Sequence, residues 1–505
     1  MRSPGSLRRS ALALVTFVAI SAVALVAPRG QAAHAAIPAD TVLGEGGGAM
    51  VPVMDKLLQN DGANLTPEFG SYTDVNNDVA IADFVGSAPN TFNADFAVTE
   101  RPLTAAEVAK AKANGRSFAY VPFAASPLAI VTLVPDSSYQ GTTTINANQY
   151  CEHIPLTLTE VAQIFGFDAS DPLQSWGDPR IQCSTPGTTA DATPISLWAN
   201  DDPTMENSVL MSFLDSTTAS KALFQAGLDN AQKGANALTT DVTPSELWPY
   251  AKPSIPGGDQ NLIGKVIAIN PQTNAPSTEA SLLTLGAALP VASVWTGDPL
   301  SGVVWNLPTA AIQNAQGAFV APSAASAAAT EGEATLAATA DPTTNNLVTF
   351  NASASDATAY NASLMLQSYL VVPLNGLPAA KATALAQFIR YAVGGKGQAD
   401  IASLGGAPAT KAMASADLAV AQQLDQEAAS APTTTTTTTT TAGGSSGGSS
   451  TSGGGASSSG DASATSGSNL AFTGANPFPI FVSGLALLAA GEMSRRLIKR
   501  RAARR

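Results

Sequence analysis

The chain has little of what most enzymes use for chemistry. Among 505 residues there are two histidines, two cysteines and only 12% charged side chains; aromatic residues make up 6%. One of the histidines, His34, lies in a leader-like N-terminus, which leaves His153 alone in the rest of the chain. A Ser-His-Asp relay or a histidine-rich metal centre therefore has almost no material, and no catalytic residue, cofactor or metal is expected. His153 reads as a surface or packing residue. Acid pairs such as Asp74/Asp78 or Asp201-Asp202 lack the spacing of a known calcium loop. Basic residues are also few, 25 Lys+Arg against 38 Asp+Glu.

Eleven of the 25 basic residues sit at the two ends. Arg2, Arg8 and Arg9 precede an apolar run from Ala11 to Val26, and small residues follow around Ala33-His34-Ala35. That is the order of a secretory signal, with cleavage expected after Ala35. No cysteine near this point could carry an N-terminal lipid. At the other end, Leu470-Ala471-Phe472-Thr473-Gly474 precedes an apolar stretch, Ile480 to Ala490, and a tail containing Arg495, Arg496, Lys499, Arg500, Arg501, Arg504 and Arg505. The apolar stretch is short for a span, which usually needs about 20 residues. The basic tail would hold the end on the cytoplasmic side. This triad of parts resembles a sortase sorting signal, and its Leu-Ala-x-Thr-Gly form looks like the variant read by class E sortases. The resemblance implies cleavage between Thr473 and Gly474 and attachment of Thr473 to peptidoglycan, with sortase and peptidoglycan as partners. A plain C-terminal membrane anchor is the alternative.

Processing at both ends changes the charge. Taking the leader's four basic residues and the seven basic and one acidic residues after Thr473 from the totals leaves 14 basic and 37 acidic residues, a net −23. Such a field repels nucleic acid, so no nucleic-acid partner is expected.

Between the ends, residues 431–468 are a run of threonines, Thr433–Thr441, and then Gly/Ser repeats. That composition cannot bury a core and reads as a linker. As a coil it would span roughly 35 Å, and fully extended about 130 Å, enough for a stalk through a wall. The remaining body has alternating strand and helix signals, which argues for α/β architecture. Leu128 to Val134 is a continuous apolar run of strand length. Thr104-Ala-Ala-Glu107 and Thr157-Leu-Thr-Glu160 are capping boxes, with Gly115 and Gly166 as stops. Lys381 to Val393 predicts a helix with Ala382, Leu385, Phe388, Ile389 and Ala392 on one face. Cys151 and Cys183 are expected to form a disulfide around the second capped helix, worth about 3–4 kcal/mol in the chain-entropy model; two buried thiols are the alternative. Trp198, Trp248, Trp295 and Trp305 fit core packing better than a sugar cleft.

Several segments, in order, resemble the substrate-binding proteins of phosphate ABC transporters. They are the Gly-rich loop Gly44–Met50 opening a helix over Val51 to Asn60, and Asp95–Leu103 before a capped helix. Val121-Pro122 then leads to the Leu128 strand, and Leu156 to Phe165 is followed by Trp176–Ile181. Last come Asn314–Pro322 before an alanine-rich helix, the return strand Gln367–Pro373, and Gly394 to Gly406. The resemblance implies a two-lobed type 2 periplasmic-binding fold. It places one lobe at 37–123 plus 372–430 and the other at 124–371, between the signal peptide (1–35), the linker (431–468) and the sorting segment (469–505).

The resemblance also marks ligand-binding positions: Gly48, Ala49, Met50, Asn77, Asp78, Thr99, Glu100, Asp201 and Thr204. In the family these loops present hydroxyls, backbone N–H groups at helix N-termini, an arginine and one aspartate, a donor set suited to an oxyanion. Here Gly48 and Ala49 stand where Ser and Thr are expected, and Asn76-Asn77-Asp78 replaces a Gly-Ser-Gly turn. Thr99-Glu100 replaces Ser-Asp, and the arginine of the fourth loop is absent. Asp78, Asp201, Asp202 and Glu206 are added nearby. The expected function is a cell-surface solute-binding protein with an altered phosphate site, weakened or lost. The alternative is a wall-anchored interaction or structural module on the same fold. Phosphate or another small solute is the candidate ligand, and the missing N-terminal lipid argues against an ABC permease as partner.

Overall fold

In this computed structural model the structure describes residues 42–61, 69–86, 94–139, 147–166, 175–183, 193–200, 203–231, 287–296 and 307–430, with single residues and short pieces between 141 and 285. The leader 1–35, the linker 431–468, the segment 469–505 with Leu470–Gly474, and Asp201, Asp202, Trp248 and Trp305 lie outside the described residues.

Eight strands make the main sheet. In chain order they are β1 (Val42–Gly46), β2 (Phe69–Asp74), β3 (Phe96–Thr99), β4 (Phe118–Thr132), β5 (Ser196–Leu197), β6 (Ala287–Ala292), β7 (Met365–Pro373) and β8 (Ala407–Pro408). Their order across the sheet is β2-β1-β3-β7-β4-β6-β5, with β8 also on β4. β1 runs parallel to β2 and β3, and β7 runs antiparallel to β3 and β4. The strand that unites the sheet is β4. Its first part pairs with β7 and β8, and Leu128–Thr132 pairs antiparallel with β6. Every residue of β4 and of β7 is buried, so both are apolar runs without alternation. From sequence the strand is expected only from Leu128. It begins ten residues earlier, passing through Pro122 and Pro127. A bulge on β4 itself accommodates Pro122: the consecutive Ser368 and Tyr369 of β7 face Ala124 and Pro122, which leaves Phe123 outside the ladder.

Ten helices are used below: α1 (Val51–Asp61), α2 (Asn77–Val85), α3 (Ala105–Ala113), α4 (Leu158–Gly166), α5 (Met205–Leu214), α6 (Thr218–Ala231), α7 (Ala324–Gly332), α8 (Ala379–Ala392), α9 (Gly395–Ser403) and α10 (Lys411–Ser430). The expected starts of α3 and α4 are present. Thr104 and Glu107 form a complete capping box, and Thr157 Oγ1 accepts from Glu160 N while Glu160 Oε2 accepts from Thr157 N. On α8 the expected stripe Ala382, Leu385, Phe388, Ile389 and Ala392 is buried. Phe388 meets Phe96 of β3 at 6.3 Å between centroids.

The opposite face of the sheet is covered by α2 and α3. Phe84, Phe118, Tyr120 and Tyr369 form a line of edge-on rings there, each pair 5.5 to 6.2 Å apart. Arg116 lies under the Phe84 ring at 4.1 Å and donates to the carbonyls of Phe84, Ala94 and Asp95. Burial lowers its pKa to about 10, with Asp95 acting the other way. Cys151 and Cys183 form a disulfide, Cα–Cα 5.1 Å, around α4. Among the described residues no helix is long and apolar enough to cross a membrane.

Candidate functional site

The candidate site lies at the C-terminal ends of the parallel strands β1, β2 and β3, the edge at which α/β sheets place their ligands. Each strand ends in a short loop. Two of these loops enter a helix directly, so backbone N–H groups at two helix N-termini face one small region.

The loop after β1 is Gly46-Gly47-Gly48, followed by a single 3₁₀ turn, Gly48–Met50, that continues into α1. Contacts on four sides fix it. Gly47 N donates to Val98 O (3.3 Å), Tyr72 Oη donates to Gly47 O (3.4 Å), and Val75 N donates to Gly46 O (3.0 Å). From the far side of the sheet Trp295 Nε1 donates to Gly48 O at 3.0 Å. Trp295 follows β6 and is 1% exposed. Glycine is required upstream in β1, where a Cβ on Gly44 would stand 2.0 Å from the Phe96 ring. Ala49 and Met50, which the sequence resemblance counts as ligand positions, are buried in the main core.

The loop after β2 starts α2. Asn76 caps it, its Oδ1 accepting from Val79 N at 2.9 Å. Asn77 is 2% exposed, and its Oδ1 has no hydrogen-bond partner among the described residues. Asp78 is exposed and ion-paired with Arg101, which also holds Glu107 at 2.9 Å. Its charge is thus offset at the surface and is not carried bare into the site.

The loop after β3 supplies Thr99 and Glu100. Thr99 is fully buried and its hydroxyl is committed to the adjacent turn, accepting from Arg101 N (3.2 Å) and donating to Arg101 O (3.0 Å). Glu100 is 6% exposed. A Cβ built on Gly47 would stand 2.5 Å from Glu100 Oε2, 3.1 Å from Glu100 Oε1 and 2.7 Å from Asn77 Oδ1. The Glu100 carboxylate and the Asn77 amide oxygen therefore both lie against Gly47, where only a residue without a side chain leaves room.

One layer beneath, Glu45 of β1 hydrogen-bonds Asp83 of α2. Burial, then this bond and the Asp83 charge, push the Glu45 carboxyl up to about 7. On the fourth loop, Thr204 caps α5, accepting from Asn207 N at 3.5 Å. Asn207 Nδ2 donates to Asn200 O, and Glu206 is buried in the first turn of α5. His153 is exposed.

Of the sequence-marked residues, the structure thus brings Asn77 and Glu100 together over the glycine loop that contains Gly48. It directs Ala49 and Met50 into the core, commits the Thr99 hydroxyl to its own turn and leaves Asp78 at the surface. Sequence reasoning missed Gly47 as the seat of the carboxylate, Trp295 as a clasp on Gly48, and Arg101 as the partner of Asp78. The last had a signal, since a cation directly after Glu100 and three residues before a capping threonine is well placed to reach both helix starts.

Comparisons with known proteins agree with this architecture. The fold is similar to that of the ancestral soluble variant of the human phosphate binding protein, at 17% identity and TM-score 0.50, over 75% of this chain and 93% of that one. Also similar are the periplasmic phosphate-binding protein PfluDING (17%, TM-score 0.48, 75% and 93%) and the phosphate-binding protein from Stenotrophomonas maltophilia (15%, TM-score 0.47, 75% and 93%). No curated protein matches the sequence. The mixed sheet with its covering helices is the type 2 periplasmic-binding fold that the sequence resemblance implies. Residues 31–415 match the family model described as the PBP superfamily domain, and the chain belongs to that superfamily.

Proposed function

We propose that this chain is a cell-surface solute-binding protein whose oxyanion cradle is filled by its own Glu100 carboxylate, so that phosphate binding is weak or lost. The observation that carries the reading is the position of Glu100 against Gly47, at the meeting point of two helix N-termini. Helix starts favour negative charge there, and an internal carboxylate supplies it without a ligand. A phosphate entering the same region would meet that charge. A unit charge about 5 Å from another contributes about 3 kcal/mol at an effective dielectric near 20, enough for a hundredfold loss of affinity.

The leader 1–35 exports the chain, residues 37–123 with 372–430 and residues 124–371 form the two lobes, and a sortase joins Thr473 to peptidoglycan through the 431–468 stalk. The role is binding, not catalysis. A second reading, a wall-displayed interaction module without a small ligand, is favoured by the buried Trp295 indole on Gly48 O, which occupies the same loop from the other side.

Titration calorimetry of the exported protein with inorganic phosphate tests the first reading. We expect no saturable heat at micromolar phosphate for the wild type and a gain of binding in Glu100→Ser. Micromolar binding by the wild type would overturn it. Silence of both proteins toward phosphate, other anions, cations and sugars would favour the second reading.

A further inference from the structure

Two carboxyl groups stand apart from the candidate site and from every ion pair of the described residues. Glu331 lies in the last turn of α7 and Asp417 in the second turn of α10. Both residues are 0% exposed, and all four carboxyl oxygens are buried without a hydrogen-bond partner among the described residues. α7 packs on β8 and β4, and α10 packs on β4 and α8, so both helices lie against β4. The Asp417 carboxyl is pushed well up by burial and then by the Glu331 charge, and burial alone does the same to Glu331.

Among the described residues the surroundings offer no counter-charge. From β7 the Glu331 charge reaches the Tyr369 phenol, whose oxygen already accepts from Val348 N. From β4 the nearby titratable group is Tyr120, whose oxygen accepts from Leu103 N. On α8, Arg390 is paired with Asp425 and Lys381 with Asp95. Glu333, next along from α7, is exposed and holds the backbone N–H groups of Ser355 and Asp356. β8 carries no ionisable residue, and Lys411 is exposed at the start of α10. Ionised together, Glu331 and Asp417 would be two like charges out of water with nothing to balance them.

We propose that Glu331 and Asp417 form a proton-binding latch that seats the C-terminal helix α10 on β4. With the pair protonated, α10 closes over the sheet through Met413, Val420, Ala421 and Leu424. With the pair ionised, the N-terminal half of α10 lifts. α10 is the last described helix before the threonine run, so pH is coupled to the seating of this helix. The sign follows from linkage. Carboxyls whose folded pKa is raised bind more protons folded than unfolded, so the seating is full at low pH and is lost as pH rises through the folded values.

Amide hydrogen exchange on the full chain at pH 6 and pH 9, corrected for intrinsic rates, tests this. In the wild type, protection over 413–421 should fall by about tenfold for each pH unit over which one proton is released. In Glu331→Gln/Asp417→Asn it should stay within about twofold, since amides carry no titratable charge. The same pH profile in both proteins, or a flat wild-type profile, would overturn the latch. So would calcium that restores protection at pH 9 in the wild type alone, because a cation would then be the neutralising species. Should the amide variants not fold, infrared spectra of Glu45→Gln, which lacks the other carboxyl pushed up to about 7, decide. A protonated carboxyl band persisting at pH 7 supports the latch, and its absence overturns it.

Discussion

The Glu100 carboxylate lies against the Cα of Gly47, so that a single added methyl would stand 2.5 Å from Glu100 Oε2. This juxtaposition links the end of β3 to the loop after β1. It depends on glycine for space and on the helix starts for charge. Gly47→Ala should therefore displace Glu100 and Asn77 together, at about 1–3 kcal/mol, the range of overpacking in a filled site. Urea denaturation measures it. In a Glu100→Ser background the same substitution should be milder, and equal costs in both backgrounds would show that Glu100 does not press on Gly47.

Trp295 clasps the same loop. Trp295→Phe removes the indole N–H from Gly48 O but keeps most of the ring volume. Gly48 O keeps its bond from Val51 N, so losing the indole donor should cost about 0.5–1.5 kcal/mol, the net worth of one hydrogen bond. Denaturant midpoints would show it, and an unchanged midpoint would mean that water replaces the indole.

Glu45 gives the site a pH dependence. Its folded pKa of about 7 lies above the ordinary carboxylate value, so the folded state holds the extra proton between about 4.5 and 7. Stability should fall as pH rises across that window and level off above it. The group is partly exposed, so the loss should be near 1 kcal/mol after allowance for solvent screening. Thermal unfolding at pH 5 and pH 8 for the wild type and Glu45→Gln checks both sign and size, and the variant should show a flatter profile.

The disulfide closes a 32-residue separation around α4. Cys151→Ser/Cys183→Ser should lose about 3–4 kcal/mol in the chain-entropy model. A loss much smaller than this would mean that the unfolded chain is already compact in this segment.

How much was legible in the sequence follows from the range of the forces involved. The starts of α3 and α4 could be read directly, because a capping box is complete within four residues. The stripe of α8 was equally plain, since period 3.6 needs no knowledge of the partner. The beginning of β4 was not, because Pro122 and Pro127 argue locally against a central strand. What overrides them is a bulge opposite β7, almost 250 residues away in sequence. At the site, the sequence could name Glu100 as a longer acid at the end of β3. It could not aim the side chain at Gly47. Asp78 looked like added charge beside a crevice until Arg101, 23 residues on, was seen holding it at the surface.

The position of Glu100 in the presence of the anion is the most direct test. A crystal grown in phosphate should show the Glu100 carboxylate over Gly47 and no ion in that space. An ordered phosphate gripped by the amides of Gly47 to Met50, with Glu100 swung away, would contradict the account.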